Sequence, residues 1–404
     1  MRILHTSDWH LGHLLLGQSR HAEHQQLIAW LGEQIRQQDI DLVLLTGDVF
    51  DSATPTSAAR ELYFELAMTV EAAGAQLVVV AGNHDAAATL QESRLLLEKL
   101  HTWVVPHRLS AAEHVRLLTN RQGEPALWLA AVPYLRPHEL LLSRAGQDAE
   151  EKELALQQAI TNCYAEIFFY IQAQQTTLAR PVPIMMTGHL TVLGGSSSES
   201  VREIYIGKLR GFPATAFPTV DYVALGHLHQ AQHISAPSPI YYSGSPLALS
   251  FDEAGQQKSM NLIDSQPDGL QIDTLPVPCW QALASIQTSL DSLVADVEAR
   301  LSQLALSPAQ ALWLEIVLTD PQASRDVVDQ VREQLASYPV QVLRVKRASR
   351  PVSVLQPADT VMLHELSVQD VFEQCLRQTE FDTETCQALQ QRFALVCQQL
   401  EITA

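Results

Sequence analysis

Apolar runs in this chain break off, five times over, into a tight group of polar residues of one chemical kind. Arg2 to His5 leads into Asp8-x-His10 and Leu42 to Leu45 into Gly47-Asp48. Leu77 to Val80 leads into Gly82-Asn83-His84-Asp85, Ile184 to Met186 into Gly188-His189, and Tyr222 to Leu225 into Gly226-His227-x-His229. Short apolar runs bounded in this way read as buried strands. Helix-periodic segments alternate with several of them. Leu27, Trp30, Leu31 and Ile35 share one face, Ser57 to Ala73 reads as helix, and Leu156, Ile160, Cys163, Tyr164, Ile167 and Ile171 keep helical register over a longer stretch. Sheets built this way collect their sites where the C-terminal ends of strands converge, because helices cover the faces. A single site assembled from separate strand ends is therefore expected.

The residue types say what that site holds. Asp, Asn and His are ligands for divalent transition metals. The glycines permit sharp turns and keep side chains clear of a substrate. An x-spaced pair such as Asp8 and His10, or His227 and His229, can aim two side chains at one ion if the backbone stays extended. Two ions about 3.5–4 Å apart suit phosphoryl transfer. Asp48, alone at its strand end, is the carboxylate expected to bridge them, and His84, beside Asn83, is the expected general acid for the leaving oxygen. Singly, a DxH arises often by chance and a GD is usually a turn; the joint pattern carries the assignment. His5, His21, His24 and His233 have no such company and read as structural.

Composition narrows the classes further. With 404 residues, 47% of them apolar and 18% charged, the chain has material for two or three cored domains and is not a disordered tail. No apolar run approaches a membrane span; the longest, around Ala126 to Leu135, is interrupted by Pro133. The start, MRILHTSDWH, lacks a signal-peptide stretch, so a cytoplasmic location without membrane attachment is expected. The net charge of −19 argues against a chain that coats DNA electrostatically. It leaves DNA open as a substrate, since bound cations reverse the local charge and a partner can supply basic surface. Five cysteines without a CxxC pair argue against a disulfide framework. Cys386 and Cys397 read as small buried apolar residues, with a metal role as the alternative.

Three regions follow. Residues 1–275 form the body, closed by a β-rich half at Tyr241 to Ser243, Met260 to Ile263 and Leu270 to Thr274. After Pro276-Val277-Pro278, residues 276–350 read as a small α+β domain. Its expected order is a helix carrying Ile286, Leu290, Leu293, Val297 and Leu301, a strand over Leu312 to Leu318, a helix with Val328, Val331 and Leu335, and a strand over Val340 to Val345. Arg344, Lys346, Arg347 and Arg350 read as solvated surface or as a patch facing DNA or a partner. Residues 351–404 read as a linker and two amphipathic helices, the first opened by Ser367 and Asp370 as an N-cap pair, the second with Cys386, Leu389, Phe393, Val396 and Leu400 at heptad-like spacing. Such a pair has little core of its own and is expected to dock on a partner. Gly194 to Ser198 is expected to be a mobile loop.

The five clusters resemble those of the calcineurin-like metallophosphoesterase superfamily. Further segments narrow the likeness to its bacterial SbcD branch of nuclease subunits: Ser7-Asp8-Trp9-His10-Leu11-Gly12, Gly47-Asp48-Val49-Phe50-Asp51, Glu92-Ser93-Arg94, the segment from Arg202 to Gly207, and the segment from Gly244 to Glu253. The resemblance runs over essentially the whole chain. It implies an α+β fold, with a two-sheet β-sandwich flanked by helices, a small α+β capping domain and a C-terminal helical pair. It implies one metal held by Asp8, His10, Asp48 and His229, a second held by Asp48, Asn83, His189 and His227, and His84 as catalytic histidine. It implies manganese, 3′→5′ exonuclease action on double strands and endonuclease action on single strands and hairpins. It also implies a homodimer within a heterotetramer, whose C-terminal helices bind a coiled-coil ABC-type ATPase of the SbcC kind. Some archaeal relatives place a histidine where this chain has Asp51, and that residue's role does not transfer. Arg94, Arg136 and Arg202 lie near the motifs and are the candidates for meeting DNA phosphates.

Two other classes compete with a DNA nuclease. Protein phosphatases of this superfamily favour GDxxDRG and GNHE, whereas this chain has Gly47-Asp48-Val49-Phe50-Asp51-Ser52 and Gly82-Asn83-His84-Asp85; small-substrate phosphodiesterases usually lack a capping domain and a tail. A non-catalytic scaffold would be expected to lose ligands, and no ligand position is lost here.

Overall fold

The strand Leu42–Thr46 is buried at every position, and its side chains alternate between two different cores. Leu42 and Leu44 enter one cluster, Val43 and Leu45 another. That division, repeated along neighbouring strands, is what a sheet covered on both faces requires. The computed structural model describes residues 1–120, 122–141, 149–196, 198, 201, 211–266, 269–304, 310–319, 327–347, 389–390 and 392–393. Arg202, Arg350 and, but for four helical residues, the expected C-terminal pair lie outside them.

In chain order the main strands of the body are β1 (Arg2–Thr6), β2 (Leu42–Thr46), β3 (Gln76–Val80), β4 (Thr102–Val105), β5 (Val115–Thr119), β6 (Pro125–Ala130), β7 (Ile184–His189), β8 (Tyr222–Gly226), β9 (Gln232–Ile234), β10 (Ile240–Tyr242), β11 (Ser259–Gln266) and β12 (Gly269–Pro276). They form two six-stranded sheets, ordered β12-β11-β1-β2-β3-β4 and β9-β10-β8-β7-β6-β5. β1 to β4 run parallel, as do β6, β7, β8 and β10. Ile3, Leu42, Leu44, Val78 and Val80 of the first sheet meet Leu127, Leu129, Met185, Tyr222 and Ala224 of the second in one shared core.

Helices cover the outer faces. α1 (His21–Gln37) and α2 (Ser57–Ala72) bury Leu27, Leu31, Ile35, Leu62 and Leu66 against the first sheet. The side chain of Thr56 caps α2 by accepting from the Ala59 amide at 3.2 Å. α3 (Ala149–Gln175) lays Leu156, Ile160, Cys163, Tyr164, Ile167 and Ile171 on the second sheet. Each buried leucine or isoleucine among these contributes about 1.5–3 kcal/mol relative to exposure. The body is thus the helix-flanked two-sheet sandwich that the resemblance implied.

Beyond Pro276 comes a separate parallel sheet of β13 (Leu283–Thr288), β14 (Leu312–Leu318) and β15 (Val340–Arg347), with α4 (Leu293–Gln303) and α5 (Val327–Leu335) on one face. The order differs from the expected one at its start. Ile286 lies on a strand, not on the helix that carries Leu293 and Val297. Leu283, Ile286 and Thr288 are buried while Ser285 and Gln287 face out, a period-two pattern at Ile286 and Thr288 that four-residue helical spacing to Leu290 masked. The opposite face of this sheet packs Leu283, Trp313 and Leu343 against Leu15 and Phe251 of the body.

Candidate metal centre

The seven expected ligands leave both sheets at one end. Asp8 and His10 follow β1, Asp48 follows β2, Asn83 follows β3, His189 closes β7, and His227 and His229 follow β8. The x-spaced pairs do not use the alternation of an extended strand. Asp8, His10, Asp48 and His227 all have left-handed backbone, with φ of 54°, 47°, 50° and 94°. Non-glycine residues adopt that region at a cost that the surrounding structure must offset, and such residues gather at sites. Here the offset is visible in the main chain: the Asp8 amide donates to Gly47 O at 3.0 Å, the His10 amide to Asp48 O at 3.0 Å, and the His227 amide to Asp8 Oδ1 at 2.9 Å.

The glycines likewise serve close approach between strand ends. A Cβ on Gly82 would stand 2.1 Å from Asp48 Oδ1, and one on Gly226 would stand 2.0 Å from Thr46 O. They make room for the ligand loops themselves, where the sequence suggested room for a substrate.

Among the described residues, candidate ligand atoms fall within 4.8 Å of one another in three groups: Asp8, His10 and His229; His10, Asp48 and His84; and Asp48, His189 and His227. Asn83 joins the last, its Oδ1 lying 2.9 Å from His189 Nε2 and 3.2 Å from His227 Nδ1. Asp48 Oδ2 lies between the two sides, 3.3 Å from His189 Nε2 and 3.6 Å from His10 Nε2.

The donor set fits divalent cations. His189 Nδ1 donates to the Thr46 carbonyl at 3.0 Å, so Nε2 of the neutral ring carries a lone pair. That lone pair faces two more acceptors, Asn83 Oδ1 and Asp48 Oδ2. Acceptors pointing at one another are satisfied by a cation. Both ring nitrogens of His10 are buried and face carboxylates, Nδ1 lying 3.3 Å from Asp51 Oδ1 and Nε2 3.6 Å from Asp48 Oδ2, without a well-formed hydrogen bond at either. Burial opposes charge on Asp48 and on His189, but each outweighs that effect for the other. Without a cation the Asp48 carboxyl is held well below the usual range and His189 is pushed up to about 9, so a proton on Nε2 fills the place between these acceptors until a cation displaces it.

A layer of groups behind the ligands was not recognised from the sequence. Glu253, wholly buried, presents Oε1 at 3.3 Å from His229 Nδ1, and Lys258 Nζ donates to its Oε2 at 2.6 Å. Asp85, whose sequence position marks it only as a member of the Gly82 cluster, accepts from the amides of Gly82, Val49 and Phe50 at 2.8, 3.1 and 2.9 Å and so ties two ligand loops together. Burial, followed by the nearby Asp48 charge, raises its carboxyl to about 6 against the pull of those amides. Nothing in the sequence marks such a residue beyond its place next to a motif; Glu253 lies in a segment notable only for its likeness to the SbcD branch.

His84 is 8% exposed, its amide donates to Asp48 Oδ1 at 2.9 Å, and its Nδ1 donates to the Asp51 carbonyl at 2.7 Å. Its ring stands edge-on to His10, centroids 4.7 Å apart. Arg136 is engaged by the ligand loop, its Nη2 donating to Asp85 O at 2.5 Å and to Gly82 O at 3.5 Å. That arrangement braces the loop through one end of the guanidinium. Arg94 Nε lies 3.9 Å from Glu98 Oε1, and Arg202 lies outside the described residues. A cavity of about 320 Å³ opens on the centre, lined by His10, His84, His229, Asp51, Leu14 to Leu16, Phe251 and Arg344, among others.

Comparison with known proteins agrees with this geometry. Residues 1–231 match the family described as calcineurin-like phosphoesterase, and residues 279–380 match one described as type 5 capsule protein repressor C-terminal domain. The SbcD subunit of the nuclease SbcCD from Escherichia coli (strain K12) is 40% identical over 395 residues, 97% of each chain. Its counterpart from Rhodobacter capsulatus is 34% identical over 316 residues, 76% of each chain. The one from Bacillus subtilis is 33% identical over 270 residues, 66% of this chain and 67% of the relative.

Proposed function

This chain belongs to the calcineurin-like phosphoesterase family, in its SbcD nuclease-subunit branch, and on that premise we propose that it hydrolyses DNA phosphodiester bonds at a centre of two divalent cations. Asp8, His10, Asp48 and His229 would hold one cation and Asp48, Asn83, His189 and His227 the other, with manganese the ion of choice. The observation that carries this reading is Asp48 Oδ2 standing between His10 and His189 within 3.6 Å of both, with acceptors converging from two sheets. Bound there, the ions supply charge neutralisation at the phosphate and a lowered pKa for the attacking water.

The remaining chemistry belongs to side chains. His84 is fixed by the Asp51 carbonyl at Nδ1, so its Nε2 is the nitrogen that, when protonated, gives its proton to the leaving oxygen. Its amide hydrogen bond to Asp48 keeps that ring in register with the shared carboxylate. Glu253 fixes the orientation of His229, and Thr46 that of His189.

The chain acts as the nuclease subunit of an assembly with a coiled-coil ABC-type ATPase, taking DNA ends as a 3′→5′ exonuclease on double strands and cutting single strands and hairpins internally, in DNA repair and recombination. Residues 351–404 supply the docking helices, and 276–350 the cap over the centre. The chain does so as a homodimer within a heterotetramer. The location is cytoplasmic; no helix among the described residues is long and apolar enough to cross a membrane.

Incubation of the purified chain with Mn²⁺, and separately with Mg²⁺, on end-labelled duplex and hairpin DNA tests the proposal. Shortening of the duplex and opening of the hairpin support it. Intact DNA alongside hydrolysis of a phosphoprotein or a cyclic nucleotide overturns it.

A further inference from the structure

The small parallel sheet sends one cation into the cavity over the metal centre. Arg344, on β15, lines that cavity together with His10, His84 and His229, although it lies more than a hundred residues beyond the last ligand. The strand reaches there through an irregularity. β14 and β15 pair Leu314 with Val342 and then Glu315 with Arg344, passing over Leu343. An extra residue of this kind bends a strand and re-aims the side chain that follows it. Leu343 packs against the cluster that includes Leu15 and Phe251, both lining the same cavity, so the bulge is anchored to the cavity wall.

Glu315 holds the result in place. It is 2% exposed, and its carboxylate takes an ion pair from Arg344, another from Lys346 Nζ at 3.2 Å and a hydrogen bond from Ser285 Oγ at 2.6 Å. Among the described contacts, two cations share this one carboxylate. Arg344 also stands over the Phe251 ring, 6.0 Å from its centroid, and its side chain is 35% exposed. A planar guanidinium braced by Glu315 and part-exposed to the cavity can offer N–H donors in a fixed plane to an incoming anion. In a chain of net charge −19, a braced cation beside the ligands is a local departure that suits a polyanion.

We propose that Arg344 is a substrate-contacting residue of the small sheet, binding a backbone phosphate of the nucleic-acid strand next to the one being cleaved, and that Glu315 and the Leu343 bulge position it. The site thereby takes a strand with at least two phosphates in preference to an isolated phosphodiester. This rests on the nuclease reading above.

The test compares steady-state cleavage of a short single-stranded oligonucleotide by the full chain with Mn²⁺ across a salt series, for the wild type, Arg344→Gln, Arg344→Lys and Lys346→Gln. The expected result is a KM about tenfold higher for Arg344→Gln and a salt dependence of log(kcat/KM) shallower by about 0.7, the contribution of one phosphate contact on a single strand. Arg344→Lys, which keeps the charge and the pairing with Glu315, restores the salt slope and part of KM. Lys346→Gln, which removes the other cation on Glu315, changes KM less than twofold. An Arg344→Gln protein with wild-type KM and salt slope overturns the inference, as does an equal effect from Lys346→Gln, which would mean a diffuse field. If Arg344→Gln fails to fold, Arg344→Lys decides: wild-type salt slope with raised KM supports the fork contact, and wild-type values of both overturn it. A wild-type chain that leaves the oligonucleotide intact refutes the nuclease reading itself, a separate outcome.

Discussion

Glu253 and His229 form a buried pair in which the carboxylate Oε1 sits 3.3 Å from the imidazole Nδ1. The carboxyl is held below its usual range: burial opposes its charge, but His229 and Lys258 outweigh that. An imidazole oriented through one nitrogen offers the other at a fixed angle and with greater basicity, and such outer partners matter to metal affinity nearly as much as the ligands do.

Glu253→Gln is therefore expected to weaken binding of the cation held by Asp8, His10, Asp48 and His229 by about 10–100-fold. Titration of Mn²⁺ by calorimetry reads this directly. Two classes of site should become visible, one unchanged and one weakened. If both sites keep their wild-type affinity, Glu253 does not orient a ligand.

His84 is held twice, its amide donating to the Asp48 carboxylate and its Nδ1 to the Asp51 carbonyl. Replacing it with alanine removes the proton donor while leaving the seven ligands in place. His84→Ala should lower kcat by about 10²–10⁴-fold, the usual range for a general acid, with Mn²⁺ affinity near wild type. Normal cleavage by this variant would remove His84 from the mechanism.

Much of this centre was legible in the sequence because each ligand type sits at the end of an apolar strand, and strand ends are the easiest boundaries to read from glycine and aspartate. What the sequence hid is how the ligands reach one another. Asp8 and His10 meet through left-handed turns, a backbone state that no side-chain pattern announces for residues other than glycine. Glu253 and Lys258 were hidden because a buried ion pair looks, in sequence, like any exposed acid and base. The Ile286 strand was misread for a different reason: one apolar position fits both a period of two and a period of four when the neighbouring segment is a true helix.

Cation binding should add to this protein's stability, since Asp8, Asp48, Asn83 and the histidines converge on one place from separate strand ends. A ligand at 100 times its dissociation constant adds about 2.7 kcal/mol to a folded state that alone binds it. Thermal unfolding with EDTA and with excess Mn²⁺ should differ by several degrees for the wild type. Asp48→Asn, which takes the charge from the shared carboxylate, should lose most of that difference. An undiminished Mn²⁺ shift in the variant would show that the ions do not share Asp48.

A separate pH dependence arises at His114, which is not among the expected ligands. This buried ring donates Nδ1–H to Ala131 O at 2.7 Å and accepts the Leu109 amide on Nε2 at 2.9 Å. Both contacts hold only for the neutral ring, because a second ring proton would face the Leu109 N–H. Burial is the main cause that lowers this histidine to about 4. In the unfolded chain it titrates near 6.5. Between those values the unfolded state binds the extra proton, so the folded state loses stability as pH falls from about 6.5 towards about 4, with a limiting slope of roughly 1.4 kcal/mol per pH unit from this one site. His114→Gln removes the titration. Urea unfolding at pH 7.0 and 5.0 should show the variant less stable than wild type at pH 7.0, through a lost buried hydrogen bond, yet losing less on acidification. Equal losses in the two proteins would mean that the ring binds its proton equally well in the folded and unfolded chain.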